Sequence, residues 1–148
     1  ALVIQWHILG MTVPSFFTGH LIRRFGVLTI IKAGALLNLG TVLVGLSGLD
    51  LTEFFLALVL LGVGWNFMFV GGTTLLTEAY TLAERHKVQA LNDFLVFGLV
   101  SVGSLAAGAI QNLLGWQAIT LTIIAPVLVA FLAALWLRLF NARGKAAG

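Results

Sequence analysis

The sequence predicts an all-α integral membrane protein with about five membrane-spanning helices. Two numbers carry that prediction. Hydrophobic residues make up 60% of the chain and charged residues only 9%, and the mean hydropathy is +1.09. The third observation is arrangement, because the few charges are gathered between long apolar runs. Soluble domains are about 45–50% apolar and roughly 25% charged. At 148 residues the chain has the length of an ordinary soluble domain. With so few charges it cannot cover its apolar surface from water, so its solvent is lipid.

A spanning helix needs about 20 mostly apolar residues, since a rise of about 1.5 Å per residue must cross about 30 Å of hydrocarbon. The first span is expected over 1–22, which carries no charge and is ended by Arg23, Arg24 and Gly26. The second is expected over 27–48, with Lys32 near enough to its end to snorkel. Asp50 and Glu53 mark the next loop, and the third span is expected over 54–77. A charged loop follows with Glu78, Glu84, Arg85, His86 and Lys87. From Phe94 to Leu137 there are 44 residues without a charge, about 66 Å of helix, which is two crossings. Gln111, Asn112, Gly115, Trp116 and Gln117 mark the break, where polar residues, a helix-stopping glycine and an interfacial tryptophan coincide. The fourth and fifth spans are therefore expected over 88–112 and 117–140.

Alternate threading of five spans puts Arg23, Arg24, Lys32, Arg85, Lys87, Arg138, Arg143 and Lys145 on one side, and Asp50 and Glu53 on the other. Basic residues gather on the cytoplasmic side of a bilayer. The expected location is thus the cell (inner or plasma) membrane, with the amino end of the chain outside and its carboxyl end in the cytoplasm. The opening stretch has neither a basic start nor a small-residue cleavage site, so no cleavable signal peptide is expected. Ala1 stands inside an apolar run without a preceding Met, and the chain is expected to be part of a longer product.

Composition also narrows the chemistry. The chain has no cysteine, so disulfides, thiolate metal sites and thiol catalysis are excluded. There is no Gly-rich phosphate loop, no His/Asp/Glu metal spacing and no aromatic-basic stripe for nucleic acid. The net charge of +3 reads as a side of the protein that faces cytoplasm and anionic lipid. Gly45-Leu46-Ser47-Gly48 is similar to the Gly-x-Ser-Gly of rhomboid intramembrane proteases, whose chemistry needs a histidine base on a later span. His7 and His20 precede Ser47, and His86 lies in a loop expected on the opposite side. No enzyme activity, cofactor or metal is expected.

Two loops carry a resemblance. Gly19-His20-Leu21-Ile22-Arg23-Arg24-Phe25-Gly26 resembles the signature Gly-x-Leu-x-Asp-Arg-x-Gly-Arg-Lys of major facilitator superfamily transporters. Gly19, Leu21, Arg24 and Gly26 match, whereas Arg23 replaces the acid and Val27 and Leu28 replace the last basic pair. Two spans later, Glu78 and Arg85 resemble the Glu-x6-Arg element of the same family, with Thr81 where proline is often found. The resemblance implies part of a six-helix bundle, in a transporter that repeats these loops in two halves and works by alternating access around a mid-membrane site. The decayed first signature and the short tail point to the carboxyl half, with the spans as the eighth to twelfth helices. A small-molecule substrate, possible coupling to protons, and a missing partner bundle follow from the resemblance. The different class left open is a small five-helix assembly or interaction subunit without transport of its own.

The resemblance also places the third span on the central cavity, the first and fourth against the other half, and the second and fifth toward lipid. The residues agree. Gly62, Asn66, Val70, Thr73 and Thr77 recur at helical spacing and give the third span a small or polar face, which needs protein or water beside it. Trp65 and Asn66, near the span centre, are substrate-cavity candidates; Asn66 alternatively bonds to a neighbouring helix. His7 is a further candidate, able to bind substrate or exchange a proton near neutral pH, or else a capped group at the outer end. Pro14 predicts a kink in the first span. Asp93 shares a stripe with Phe97, Ser101, Ser104 and Gly108 on the fourth span. It is either a desolvated carboxylate that carries a proton or a wet acid in the first helical turn. Gly19, Arg24, Gly26, Glu78, Glu84 and Arg85 form an expected cytoplasmic gate, with Arg24 pairing Glu78 or Glu84, and Glu78 pairing Arg85. The alternative is that these charges only fix topology.

Overall fold

A computed structural model describes residues 2–48 and 50–146, with backbone alone at 3 and 142–146. Ala1 and the side chains of Arg143 and Lys145 lie outside the described residues. Among the described residues six helices make the fold: α1 (Leu2–Thr12), α2 (Ser15–Phe25), α3 (Val27–Ser47), α4 (Leu51–Thr77), α5 (Arg85–Thr122) and α6 (Ile124–Ala146).

Helices α3 and α4, together with the joined stretch Arg85–Asn141, are long and apolar enough to cross a membrane. That stretch of 57 residues would be about 85 Å of straight helix, far longer than one crossing. It is not straight. Gly115 has φ 79° and ψ −175° inside α5, a backbone that glycine adopts without the Cβ penalty other residues meet. The chain reverses there. Helices α1 and α2, of 11 residues each, reach spanning length only end to end, joined across Pro14. Proline has no N–H to offer the Gly10 carbonyl one turn back, so the helix breaks and restarts at Ser15.

Close contacts fix the directions. Gly10 lies on Val59 and Gly62, and Thr18 bonds to Asn66, so the α1–α2 pair runs parallel to α4. Gly34 packs on Gly64, and Ile31 on Gly71, so α3 runs antiparallel to α4. Trp116 donates its indole N–H to the Gly45 carbonyl at 2.9 Å. Val127 and Asn38 line one cavity, and Arg138 comes within electrostatic range of Lys32. The last segment therefore runs back down α3. Tyr80, Arg85 and Gln89 line one small cavity, while Ala107 faces Leu58 and Leu61 of α4, so α5 climbs between them. One end of the molecule collects Arg23, Arg24, Lys32, Arg85, Lys87 and Arg138; the other holds Asp50, Glu53 and Trp116.

Burial is concentrated where α3 crosses α4. Ile30, Ile31, Ala35, Val42 and Ala57 are buried, as are Val127 and Ala134 of α6. Small residues set this geometry: a Cβ on Gly34 would stand 2.7 Å from the Gly64 carbonyl oxygen, and one on Gly62 would stand 2.6 Å from that of His7. Without a hydrophobic force between helices in lipid, such close backbone approach is what holds them together. The fourth span contrasts with this. From Phe94 to Gly108 every residue but Val96 and Ala107 is exposed among the described residues, and Gly98, Gly103 and Gly108 have nothing within 4 Å.

The two ends give a direct check of threading. Because the chain has no cysteine, single cysteines at Asp50 and Arg85 can be labelled one at a time. Impermeant thiol reagents applied from one side of oriented vesicles are expected to reach one position and not the other.

Candidate functional site

The polar centre of the molecule is Asn66, 1% exposed, in the middle of α4. Its amide is engaged entirely by the kinked first span. Thr18 Oγ1 donates to Asn66 Oδ1 at 2.8 Å. Asn66 Nδ2 donates to the Met11 carbonyl at 2.6 Å and to Ser15 Oγ at 2.5 Å. Thr18 Oγ1 is also 2.8 Å from the Pro14 carbonyl. A proline break in a membrane helix is tolerated when neighbouring side chains re-satisfy the freed backbone, and Asn66 supplies that service from across the helix pair. Of the two placements open from sequence, the amide takes the helix-bridging one. Ser15 and Thr18 were not singled out beforehand, although hydroxyls within one turn of a spanning proline are the available signal.

His7 is half-buried, and its Nδ1 lies 2.7 Å from the Leu58 carbonyl oxygen. A carbonyl only accepts, so the ring donates from Nδ1 in this contact. The ring thus ties α1 to α4 two turns nearer the acidic end than Asn66.

Trp65, half-buried, points the other way from Asn66. It stacks on Phe69, one turn on, with ring centroids 4.6 Å apart and planes 9° apart. The two rings line a cavity of about 330 Å³ with Asn38, Met68, Pro126 and Val127, between α3, α4 and α6. The cavity thus lies between the second, third and fifth spans. Asn38, 5% exposed, was missed; an amide near the middle of an apolar span is itself a signal. Its Nδ2 meets only the Met68 sulfur, at 3.2 Å, and its buried Oδ1 has no hydrogen-bond donor. Further along α4, Val70, Thr73, Thr74 and Thr77 line a groove that shares Phe69 with this cavity. Thr74 and Thr77 donate to the carbonyls of Val70 and Thr74, so both hydroxyls serve their own helix.

Asp93 is exposed, and Asn92 Nδ2 approaches its Oδ1 at 3.3 Å. Helix α5 starts at Arg85, so Asp93 lies more than two turns in and outside the first turn. Phe97, Ser101, Ser104 and Gly108, on the same stripe, are equally uncovered by the described residues.

At the basic end each expected gate charge has a local environment. The Arg24 guanidinium lies 5.4 Å from the centroid of the Phe25 ring. Gly26 has φ 85°, and its N–H donates to the Ile22 carbonyl, closing α2. Gly19 has open space around it. Glu78 borders a cavity with Leu137 and Asn141 of α6, and Arg85 borders another with Tyr80 and Gln89, which are bonded to each other at 2.6 Å. Glu84 caps the turn that precedes α5 rather than the helix itself: its Oε2 accepts from Thr81 Oγ1 at 2.7 Å and from the Thr81 N–H at 3.1 Å.

The Thr81 hydroxyl, and after it the Thr81 amide, hold the Glu84 carboxyl below its ordinary value. A folded value below the unfolded one means that this cap stabilises at pH above the unfolded value. The contribution is lost as pH falls through the folded value. Thr81→Ala is expected to move the Glu84 midpoint back up, read by a carboxyl-carbon NMR titration; an unmoved midpoint would contradict the cap.

Buried small-residue crossings, a proline break repaired from a neighbouring helix, and long uncharged helical stretches define a multi-pass, all-α membrane protein. Neither a protein-family model nor a solved structure matches the chain, but curated relatives do. It is 44% identical over 147 residues to the riboflavin transporter RfnT of Brucella anthropi, covering 99% of this chain and 36% of that protein. It is 33% identical to the uncharacterized MFS-type transporter YdeG of Bacillus subtilis, over 86% of this chain and 30% of the relative. YddS of Bacillus subtilis, also an uncharacterized MFS-type transporter, is 38% identical over 76% of this chain and 25% of its own length. The chain belongs to the major facilitator superfamily of transporters, and it spans about a third or less of the length of these relatives.

Proposed function

We propose that this chain forms one side of the solute pathway of a secondary transporter that moves riboflavin, or a solute of the same planar heterocyclic class, by alternating access. The observation that carries the reading is the 44% identity to a riboflavin transporter along 99% of the chain. Riboflavin is an uncharged three-ring heterocycle with a polyol tail. The Trp65–Phe69 stack offers a flat aromatic face, and the turns of α4 around it carry no charge. Trp65 and His7 are then solute-side residues on different faces of α4, and Asn66 fixes the kinked first span to α4. The basic end faces the cytoplasm, as the distribution of basic residues favours, and the second bundle lies outside this chain.

In this reading Asp93 carries the coupling proton on the uncovered face of the fourth span. Arg24, Glu78, Glu84 and Arg85, with the Gly19 and Gly26 turn, close the cytoplasmic end when the pathway opens outward. An exposed ion pair contributes only about 0–1 kcal/mol, yet about 1.4 kcal/mol changes a two-state ratio tenfold, so a few such pairs bias a gate.

The test is uptake of labelled riboflavin by cells that lack their own flavin uptake and express the complete gene product. Saturable accumulation is expected, and Asp93→Asn is expected to abolish the part driven by a pH gradient. Uptake of another solute in place of riboflavin would leave the transporter class and remove the substrate. Unchanged pH-driven accumulation in Asp93→Asn would exclude Asp93 as the coupling group.

A further inference from the structure

We propose that Lys32 and Arg138 form a binding site for the phosphodiester of an anionic phospholipid, seated between α3 and α6 at the basic end of the bundle. Such a site is independent of the solute carried and gives the transporter a lipid partner.

Helix register brings the two cations together. Helix α6 packs chiefly on α3, with Val127 and Ala134 buried. Arg138 follows Ala134 one turn on, so it prolongs the stripe that α6 lays on α3. The shared Asn38–Val127 cavity and the Trp116–Gly45 bond make the two helices antiparallel. Helical side chains lean toward the N-terminus of their own helix. Lys32 therefore reaches along α3 toward the basic end, Arg138 reaches along α6 away from it, and their heads converge. Arg138 is in electrostatic range of Lys32, and no acid among the described residues offsets it there. The acids of this end are engaged or placed elsewhere. Glu84 is held by Thr81, Glu78 borders the cavity on the α4 side of α6, and Asp93 lies on α5. Like charges brought together repel, and an anion between them turns that repulsion into a double attraction.

Depth and surroundings select a lipid as the source of the anion. Trp136 and Phe140, two residues to either side of Arg138, are exposed and stacked, with ring centroids 5.6 Å apart. Exposed aromatics of this kind mark the head-group level. Lys32 is half-buried, and Leu36 and Leu43, on its side of α3, are exposed. They give an apolar track toward the bilayer centre along which an acyl chain can lie. The planar fork of arginine grips two phosphate oxygens, while lysine supplies a point charge. Basic pockets between spanning helices hold anionic head groups in this way. A zwitterionic lipid brings its own cation beside the phosphate, so the pair favours the anionic class.

The test is the melting temperature of the complete transporter in mixed micelles, titrated with phosphatidylglycerol or with phosphatidylcholine. A ligand that binds the folded state raises that temperature, and phosphatidylglycerol is expected to raise it by several degrees more than phosphatidylcholine. Lys32→Gln and Arg138→Gln are each expected to raise the half-saturating phosphatidylglycerol content roughly fivefold, the scale of one cation beside an anionic surface. In phosphatidylcholine alone both variants are expected to melt no lower than wild type, because their mutual repulsion is gone. A lower melting temperature there would mean a structural role for the side chains and overturn the site. The double variant Arg23→Gln/Lys87→Gln removes as much charge from the same end as Lys32→Gln/Arg138→Gln, and is expected to keep the wild-type response. Equal loss in the two double variants would reduce the effect to general surface charge. Inorganic phosphate as effective as phosphatidylglycerol would replace the lipid with a free anion. Either result would overturn the lipid site and leave the transport reading standing.

Discussion

Gly34→Ala in the complete transporter is expected to be among the most damaging one-methyl changes in this chain. The added Cβ would stand 2.7 Å from the Gly64 carbonyl oxygen, 2.9 Å from Met68 Cγ and 2.9 Å from Phe67 Cβ. Two of these atoms are fixed by the α4 backbone and its first side-chain carbon, so relief requires α3 and α4 to separate. Overpacking of this kind costs about 1–3 kcal/mol, against which the better helix propensity of alanine returns at most about 1 kcal/mol. Loosening the α3–α4 crossing also disturbs the lodging of Asn38 beside Gly64. The readout is the melting temperature of the detergent-purified protein, expected to fall by several degrees. Gly72→Ala, where a Cβ meets nothing within 4 Å, is the matched control, expected within about 0.5 kcal/mol of wild type. Equal melting temperatures for the two variants would contradict the close crossing.

Asn66→Leu is expected to have the second largest effect, through hydrogen bonding. Leucine keeps the bulk but removes the donors to Met11 and Ser15 and the acceptor used by Thr18. Interhelical hydrogen bonds in membranes contribute about 0.6 kcal/mol each on average and about 1–2 kcal/mol in favourable cases. Three bonds converge on Asn66, so a loss of roughly 2 kcal/mol is expected. The decisive measurement is a double-mutant cycle with Pro14→Ala. Alanine restores an N–H for the Gly10 carbonyl and lets the first span run straight, so the Met11 carbonyl returns to its own helix. Asn66→Leu should then cost less in the Pro14→Ala background than in the wild type, a coupling that independent sites lack. Strict additivity would mean that Asn66 has no role in the break.

The helices were legible in the sequence because their cause is local. Runs of lipid-soluble residues between charges define α3 and α4 nearly to the residue, and Gly115, beside an interfacial tryptophan, stood out within an uncharged run. Pro14 announced its kink for the same covalent reason. Partners were not legible. Trp65 and Asn66 are neighbours in sequence, yet their side chains leave α4 in different directions, one to the cavity with Asn38 and one to the first span. That choice depends on which helices flank α4, and spacing along one helix does not encode it. The Thr81–Glu84 pair is the opposite case. Its three-residue spacing is local and closes the turn before α5, but the charge of Glu84 drew attention to long-range pairing instead.

The Trp116 bond to Gly45, together with its packing on Phe54 at 4.8 Å, pins the reversal at Gly115 to the acidic end of the bundle. Below that pin some twenty residues of α5 lean on little else within the described chain. They form a strut fixed at its two tips, by the tryptophan at one and by the Tyr80–Gln89 hydrogen bond near Asp93 at the other, with its long side bare between them.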